Sequence, residues 1–290
     1  ISTGDDNVAV GYAAFDANTT GSDNTAIGNN ALGANTTANS NTAIGSDALL
    51  VNTTGADNTA VGTNALDANT TASGNTAVGI SALGATTTGA SNTALGKFSA
   101  FTNTTGTNNV ALGYYALYTN LTGTHNTAVG NGAISDGTGT GNTAVGAGSL
   151  NAATGDYNVG IGFNTGTLVT TGDRNVAVGG YALDACTTGQ YNVAMGNAAL
   201  GSLTTAASNT AVGLNAGAAI TTGANNVALG AYALDANTTA DNNVAVGVSA
   251  LTANTTGTDN VAAGANSLDA NTTGSDNTAI GDNALGANTT

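Results

Sequence analysis

The chain has 290 residues, with 17 Asp and Glu against two Lys and Arg for a net charge of −15, and it contains 43 glycines, no proline and no tryptophan. Only 7% of its residues are charged, against about 25% in an ordinary globular protein, and much of its 41% apolar content is alanine. The acidic balance excludes nucleic acid and anionic membrane surfaces as partners, no stretch approaches the roughly 20 apolar residues of a membrane-inserted span, and the single cysteine, Cys186, excludes an intrachain disulfide framework.

Asn recurs every 17 residues from Asn7 to Asn277, with two shorter steps of 16 that begin at Asn126 and Asn142. The consensus of the unit is N-[TV]-A-[VIL]-G-x-x-A-L-x-A-N-T-T-G-x-x, and all 17 units keep the first Asn and the fifth-position Gly. The two short units each lose a residue around the N-T-T turn, where a coil absorbs a deletion most easily. A fixed period of this length is the mark of a solenoid. The expected fold is all-β, a parallel β-solenoid of about 17 coils in one continuous array over residues 1–290.

Taken in order through one unit, N-[TV]-A-[VIL] reads as a first short strand stopped by Gly. A-L-x-A reads as a second, stopped by N-T-T-G. Gly and Asn supply the positive-φ positions that such turns need, and their recurrence with Thr in every unit disfavours helix. Alternation along the first strand nominates the fourth position as core: Val10, Ile27, Ile44, Val61, Val78 and Leu95. The ninth position, with Phe15, Leu32, Leu49, Leu66 and Leu83, is its expected partner across the coil. The invariant asparagines, Asn7, Asn24, Asn41, Asn58 and onward, are the expected ladder, each side-chain amide bonding from coil to coil. The absence of proline and the low charge both suit in-register stacking. The near-constant third-position alanines (Ala9, Ala26, Ala43) and the few large apolar side chains per coil predict a second close-packed surface between chains, hence self-association as a homotrimer or end-to-end filament. Both ends of the chain fall in the same turn, Ile1-Ser2-Thr3-Gly4 and Asn288-Thr289-Thr290, with no atypical capping unit. A section of a longer array, or a subunit stacking end to end, is the expectation.

Further along the chain, Lys97 and Tyr114, Phe98 and Tyr115, and Phe101 and Tyr118 hold the same positions in successive coils. Stacking gathers five rings and a cation into one patch, suited to a surface glycan or to a contact between chains. Tyr157, Arg174 and Tyr191 form a second column, read as a structural cation–π ladder. His125 and Cys186 are the only histidine and thiol, so neither a nucleophile triad nor His/Cys metal spacing can be assembled. Asp16, Asp67, Asp184, Asp235 and Asp269 share the tenth position but in non-adjacent coils, and read as solvated turn carboxylates. The Asn-Thr-Thr turns (Asn18, Asn35, Asn52, Asn69 and others) match the N-glycosylation acceptor pattern as well as good turn chemistry.

Asn24-Thr25-Ala26-Ile27-Gly28 and Asn243-Val244-Ala245-Val246-Gly247, each followed by a small-residue segment and another glycine turn, resemble the head repeats of YadA-like trimeric autotransporter adhesins. The resemblance implies a left-handed parallel β-roll that assembles as trimers and binds host or matrix surfaces. That family's repeat is shorter. The 17-residue form with N-T-T-G is more similar to arrays in phage tail-fibre and bacterial surface proteins that end in an endosialidase-type chaperone domain, a domain not found within residues 7–290. The expected function is a structural, non-enzymatic, extracellular fibre or adhesin stalk, on a cell-surface appendage or a virion, with no cofactor and no metal. Alternatives are an ice-binding solenoid using threonine ladders, such as second-position Thr25 to Thr93, and a tail-fibre segment with glycan-binding aromatics.

Overall fold

A computed structural model describes residues 3–290; Ile1 and Ser2, half of the opening turn match, lie outside the described residues. The chain divides into two compact units, Ile1–Asn142 and Thr143–Thr290. Both are parallel β-solenoids, and no helix occurs among the described residues. Each coil contributes one strand of three residues. In the first unit these are β1 (Val8–Val10), β2 (Thr25–Ile27), β3 (Thr42–Ile44), β4 (Thr59–Val61), β5 (Thr76–Val78), β6 (Thr93–Leu95), β7 (Val110–Leu112) and β8 (Thr127–Val129). In the second they are β9 (Thr143–Val145), β10 (Val159–Ile161), β11 (Val176–Val178), β12 (Val193–Met195), β13 (Thr210–Val212), β14 (Val227–Leu229), β15 (Val244–Val246), β16 (Val261–Ala263) and β17 (Thr278–Ile280).

Successive strands within each unit pair in parallel with equivalent residues opposite one another, as in Thr42↔Thr59, Ala43↔Ala60 and Ile44↔Val61. The 16-residue step keeps this register, since Val159 pairs with Thr143. Removing a residue from the turn leaves the parity of the strand untouched, so every side chain stays on its own face.

Two expectations are corrected. The fourth position is not core: Ile27 is 37% exposed, Ile44 38% and Leu95 50%, whereas third-position Ala26, Ala43, Ala60, Ala77 and Ala94 are fully buried. Alternation is obeyed, but with the opposite parity. The third-position alanines therefore belong to the interior of their own coil and not to a surface between chains. The width of that interior is the cause. At Gly160, which replaces this alanine once, even a Cβ would lie 2.6 Å from Ser149 Oγ and 2.7 Å from Leu150 Cγ. At that coil not even a methyl group fits. Elsewhere the interior takes one methyl per coil at this position, as at Ala43 and Ala60, and the larger apolar side chain one residue later faces outward. The ninth position is core as expected, with Leu32, Leu49, Leu66 and Leu83 fully buried.

The second strand is absent. Seventh and ninth residues lie in the left-handed region, for example Asn30 (φ 54°) and Leu32 (φ 52°), or Asn64 (φ 55°) and Leu66 (φ 52°). Left-handed backbone costs a non-glycine residue about 1–2 kcal/mol, and burying a leucine offsets about 1.5–3. The segment curls instead of extending, yet it still hands its amides to neighbouring coils. Asn30 N–H donates to Tyr12 O at 2.9 Å, and Leu32 N–H to Ala48 O at 3.0 Å. Ladder bonding thus continues round the coil without strand geometry. The fifth-position glycine is doubly required: Gly79 has φ 134°, and a Cβ there would sit 2.6 Å from Gly96 C and O in the next coil.

Candidate functional site

Coils that keep the N-T-T turn, such as the one that begins at Asn41, bury two asparagines that do different work. First-position Asn41 donates its main-chain N–H to Asn24 Oδ1 at 2.9 Å and its Nδ2 to Gly55 O at 2.9 Å. Its own Oδ1 accepts the main-chain N–H of Asn58 at 3.0 Å and Asn58 Nδ2 at 3.2 Å. The pattern begins with Asn7 and Asn24 and recurs in the second unit, as where Asn209 N–H and Nδ2 donate to Asn192 Oδ1. The asparagine of the N-T-T turn is also buried, but its main-chain N–H bonds within its own coil, Asn35 to Leu32 O at 3.1 Å. Only its side chain reaches another coil, Asn35 Nδ2 to Asn18 Oδ1 at 3.2 Å, and the same Nδ2 donates to Ala38 O of its own coil at 3.2 Å. These acceptor-pattern asparagines point inward with their amides committed: Asn35, Asn52 and Asn69 are fully buried. A glycan on them is incompatible with the folded coil.

The predicted aromatic patch is assembled in the first unit. Phe98 stacks on Tyr115 (centroids 5.4 Å apart, planes at 23°) and Phe101 on Tyr118 (5.6 Å, 12°). The two stacks meet edge to face, Tyr115 to Tyr118 at 4.7 Å and Phe98 to Phe101 at 5.6 Å, the arrangement that ring quadrupoles favour. Tyr114 packs edge-on against Tyr115 at 4.2 Å. Lys97 Nζ lies 4.9 Å from the Phe98 centroid. Lys97 and Tyr114 are exposed and the other four rings half-buried. The Tyr114 hydroxyl beside Tyr115 raises the Tyr115 phenol above its ordinary pKa, with burial adding to it. Gly84, in the coil before, is covered by Phe101, whose Cε2 would lie 2.9 Å from a Cβ there.

In the second unit the Arg174 guanidinium lies 5.5 Å from the Tyr157 ring and 5.8 Å from Tyr191, with Asp173 at 3.9 Å. All three side chains of that column are exposed. Cys186 is fully buried and its Sγ faces Gly189 O at 3.7 Å; burial pushes the thiol up to about 11. His125 is exposed, with Nδ1 3.1 Å from Thr124 Oγ1 and Nε2 3.5 Å from Asn108 Nδ2. Burial raises the carboxyls of Asp67 and Asp235 above their ordinary values. Among the described residues no three His, Cys, Asp or Glu side chains gather as a metal site, and no enclosed pocket opens.

A surface that sequence reasoning missed is the outward row of fourth-position residues. Ile27, Ile44, Val61, Val78 and Leu95 stand one above another in consecutive register, and Met195, Val212, Leu229 and Val246 do the same in the second unit. The available signal was the fixed size of the third residue beside the varied size of the fourth, since a narrow interior tolerates no variation. No protein-family model matches the chain, and no curated protein is similar to it in sequence.

Proposed function

We propose that the chain is part of the shaft of an extracellular fibre or adhesin stalk that self-associates side by side, as a homotrimer. The observation that carries this reading is the outward apolar row. Soluble monomers rarely leave contiguous apolar patches uncovered, and a row that repeats in register over coil after coil suits a second copy with the same repeat. In-register hydrogen bonding at every corner of the coil supplies stiffness. The paucity of titratable side chains suits a mechanical role better than a chemical one. Resemblance to YadA-like heads and to tail-fibre arrays supports the same reading.

Mass measurement in solution, with negative-stain microscopy, tests it. Three times the chain mass of 27.5 kDa and filamentous particles of uniform width are expected. Placing charges in the row with Ile44→Glu and Val61→Glu dissociates the assembly while each coil keeps its ladder. A monomer, or round particles, overturns the proposal.

A second reading, ice binding, draws on exposed threonines at regular spacing. The second residue of each N-T-T pair's threonines forms such a column, Thr20, Thr37, Thr54, Thr71, Thr88, Thr105 and Thr122, all exposed in successive coils. Thermal hysteresis of the purified chain decides it.

A further inference from the structure

The aromatic patch is covered on one side and bare on the other. Backbone bonds fix the column Phe98–Tyr115–Gly132: Tyr115 N–H donates to Lys97 O at 3.3 Å, and Gly132 N–H to Tyr114 O at 3.0 Å. One face of Tyr115 is covered by Phe98. Toward the other the next coil offers only Gly132, and a Cβ built there meets nothing within 4 Å. The neighbouring column runs Phe101–Tyr118–Ser135, held by Thr119 N–H to Ser135 O at 2.9 Å. The rings therefore end in a step one coil deep, with the tyrosines as its wall and a side-chain-free glycine as its floor. The polar side chains within four residues of Gly132 are the exposed Asn131 and Asp136 and the half-buried Ser135.

We infer that this step is a saccharide-binding site, and that its ligand is a neutral pyranose. The C–H face of a sugar ring is weakly positive and lies well on the negative face of a phenol ring. Its hydroxyls need nearby amide, carboxylate and phenol groups, and a few such groups fix orientation in a site otherwise apolar. Acidic sugars are disfavoured, because the nearest cation, Lys97, packs against Phe98 on the covered side and the chain carries a net charge of −15. With no enclosing pocket, a single sugar residue binds weakly, in the roughly millimolar range, and a fibre gains affinity by presenting several copies. The inference is independent of the shaft reading, since a shaft needs no such step and a monomer would still have it.

The full chain is applied to a printed array of neutral and sialylated oligosaccharides, and the best neutral binder is titrated against tyrosine fluorescence, which no tryptophan obscures. Gly132→Tyr adds a third ring to the column and occupies the bare face without removing any existing side chain. It should fold, since Gly132 has φ 63° and Phe98 and Tyr115 hold rings at φ 58° and 55° in the same position. The expected result is binding of neutral glycans, weakened about ten-fold or more by Gly132→Tyr and unchanged by Tyr12→Ala, an exposed ring in a distant coil. No retention of any neutral saccharide, equal affinity in Gly132→Tyr, or binding of sialylated glycans alone overturns the inference. A change in solution mass on Gly132→Tyr also overturns it, by showing a second copy of the chain seated on the rings.

Discussion

The two buried asparagines of a coil have the same side chain and different fates. First-position Asn is kept in every unit, whereas the twelfth position changes character along the chain. It is Asn18, Asn35, Asn52, Asn69, Thr86, Asn103 and Asn120 in the first unit; in the second it becomes Ala153, Val169, Cys186, Leu203 and Ile220 before returning to Asn237. All of these are buried. The difference lies in whose backbone depends on the amide. First-position Oδ1 is the acceptor for the main-chain N–H of the next coil, so losing it orphans a buried donor elsewhere. At the twelfth position the main-chain N–H bonds inside its own coil whatever the side chain: Asn69 to Leu66 O, Cys186 to Leu183 O, Leu203 to Leu200 O, Ile220 to Gly217 O. The carbonyl that the amide serves is served as well from the first position, Ala206 O by Asn192 Nδ2 for instance. Apolar substitution there strands no main-chain group, and it compensates for space. Where the ninth position is glycine, Val169 and Ile220 fill the gap: a Cβ on Gly217 would lie 2.9 Å from Ile220 Cδ1, and one on Gly166 3.3 Å from Val169 Cγ2. Ladder interruptions leave a trace, since Asn69 Oδ1 and Asn120 Oδ1, each followed by a coil without the asparagine, have no partner.

The sharpest break of this comparison uses one coil. Asn58→Leu removes the acceptor of Asn75 N–H and a donor to Ala72 O. Ala72 O keeps Asn69 Nδ2, so the stranded group is the Asn75 N–H. At about 1–3 kcal/mol for it and about 1 kcal/mol for each of the two Asn58 Nδ2 hydrogen bonds lost, local stability should fall by about 3 kcal/mol or more. Stability in a repeat array is local, so amide hydrogen exchange of peptides spanning residues 58–91 is the measurement. The next effect concerns the apolar stretch of the twelfth column. The Cys186 thiol, raised to about 11 from 9.0, keeps its proton in the fold where the unfolded chain has lost it. Below pH 9 it contributes no pH dependence; between pH 9 and about 11 stability falls with rising pH, by about 3 kcal/mol in all. The drift should vanish in Cys186→Ala, which copies Ala153, and iodoacetamide at pH 8 should leave the native thiol unlabelled.

A smaller effect completes the pair. Asn69→Leu reproduces the setting of Leu203, with leucine at the ninth position and alanine at the fifteenth. It deletes the unpartnered Asn69 Oδ1 while leaving Asn52 Oδ1 without its donor, so the number of unpartnered acceptors is unchanged. Exchange rates in its coil should change by the equivalent of less than about 1 kcal/mol. A cost equal to that of Asn58→Leu would erase the distinction between the columns. Smallest of all is Arg174→Ala, in the solvent-exposed column with Tyr157 and Tyr191, at about 0.5–1 kcal/mol, read from the same exchange experiment on peptides 157–191.

The sequence alone determined the period, the parallel register, the asparagine ladder and which aromatics share a column, because each follows from counting in steps of 17. Register is preserved by any chain in which equivalent residues stack, so arithmetic suffices. Only the tertiary structure decided which face of N-[TV]-A-[VIL] is inside. Alternation gives two faces but not their sense, and both third and fourth residues are apolar. The lumen, which holds a methyl at the buried alanines and not even that at Gly160, settles it. The curled Ala-Leu segment was equally hidden, since leucine in left-handed backbone is unfavourable by itself and is tolerated only because the coil buries it. The bare face of Tyr115 belongs with these. Tyr115 and Gly132 were both legible as letters, but the emptiness between them is a property of the space that neighbouring coils leave.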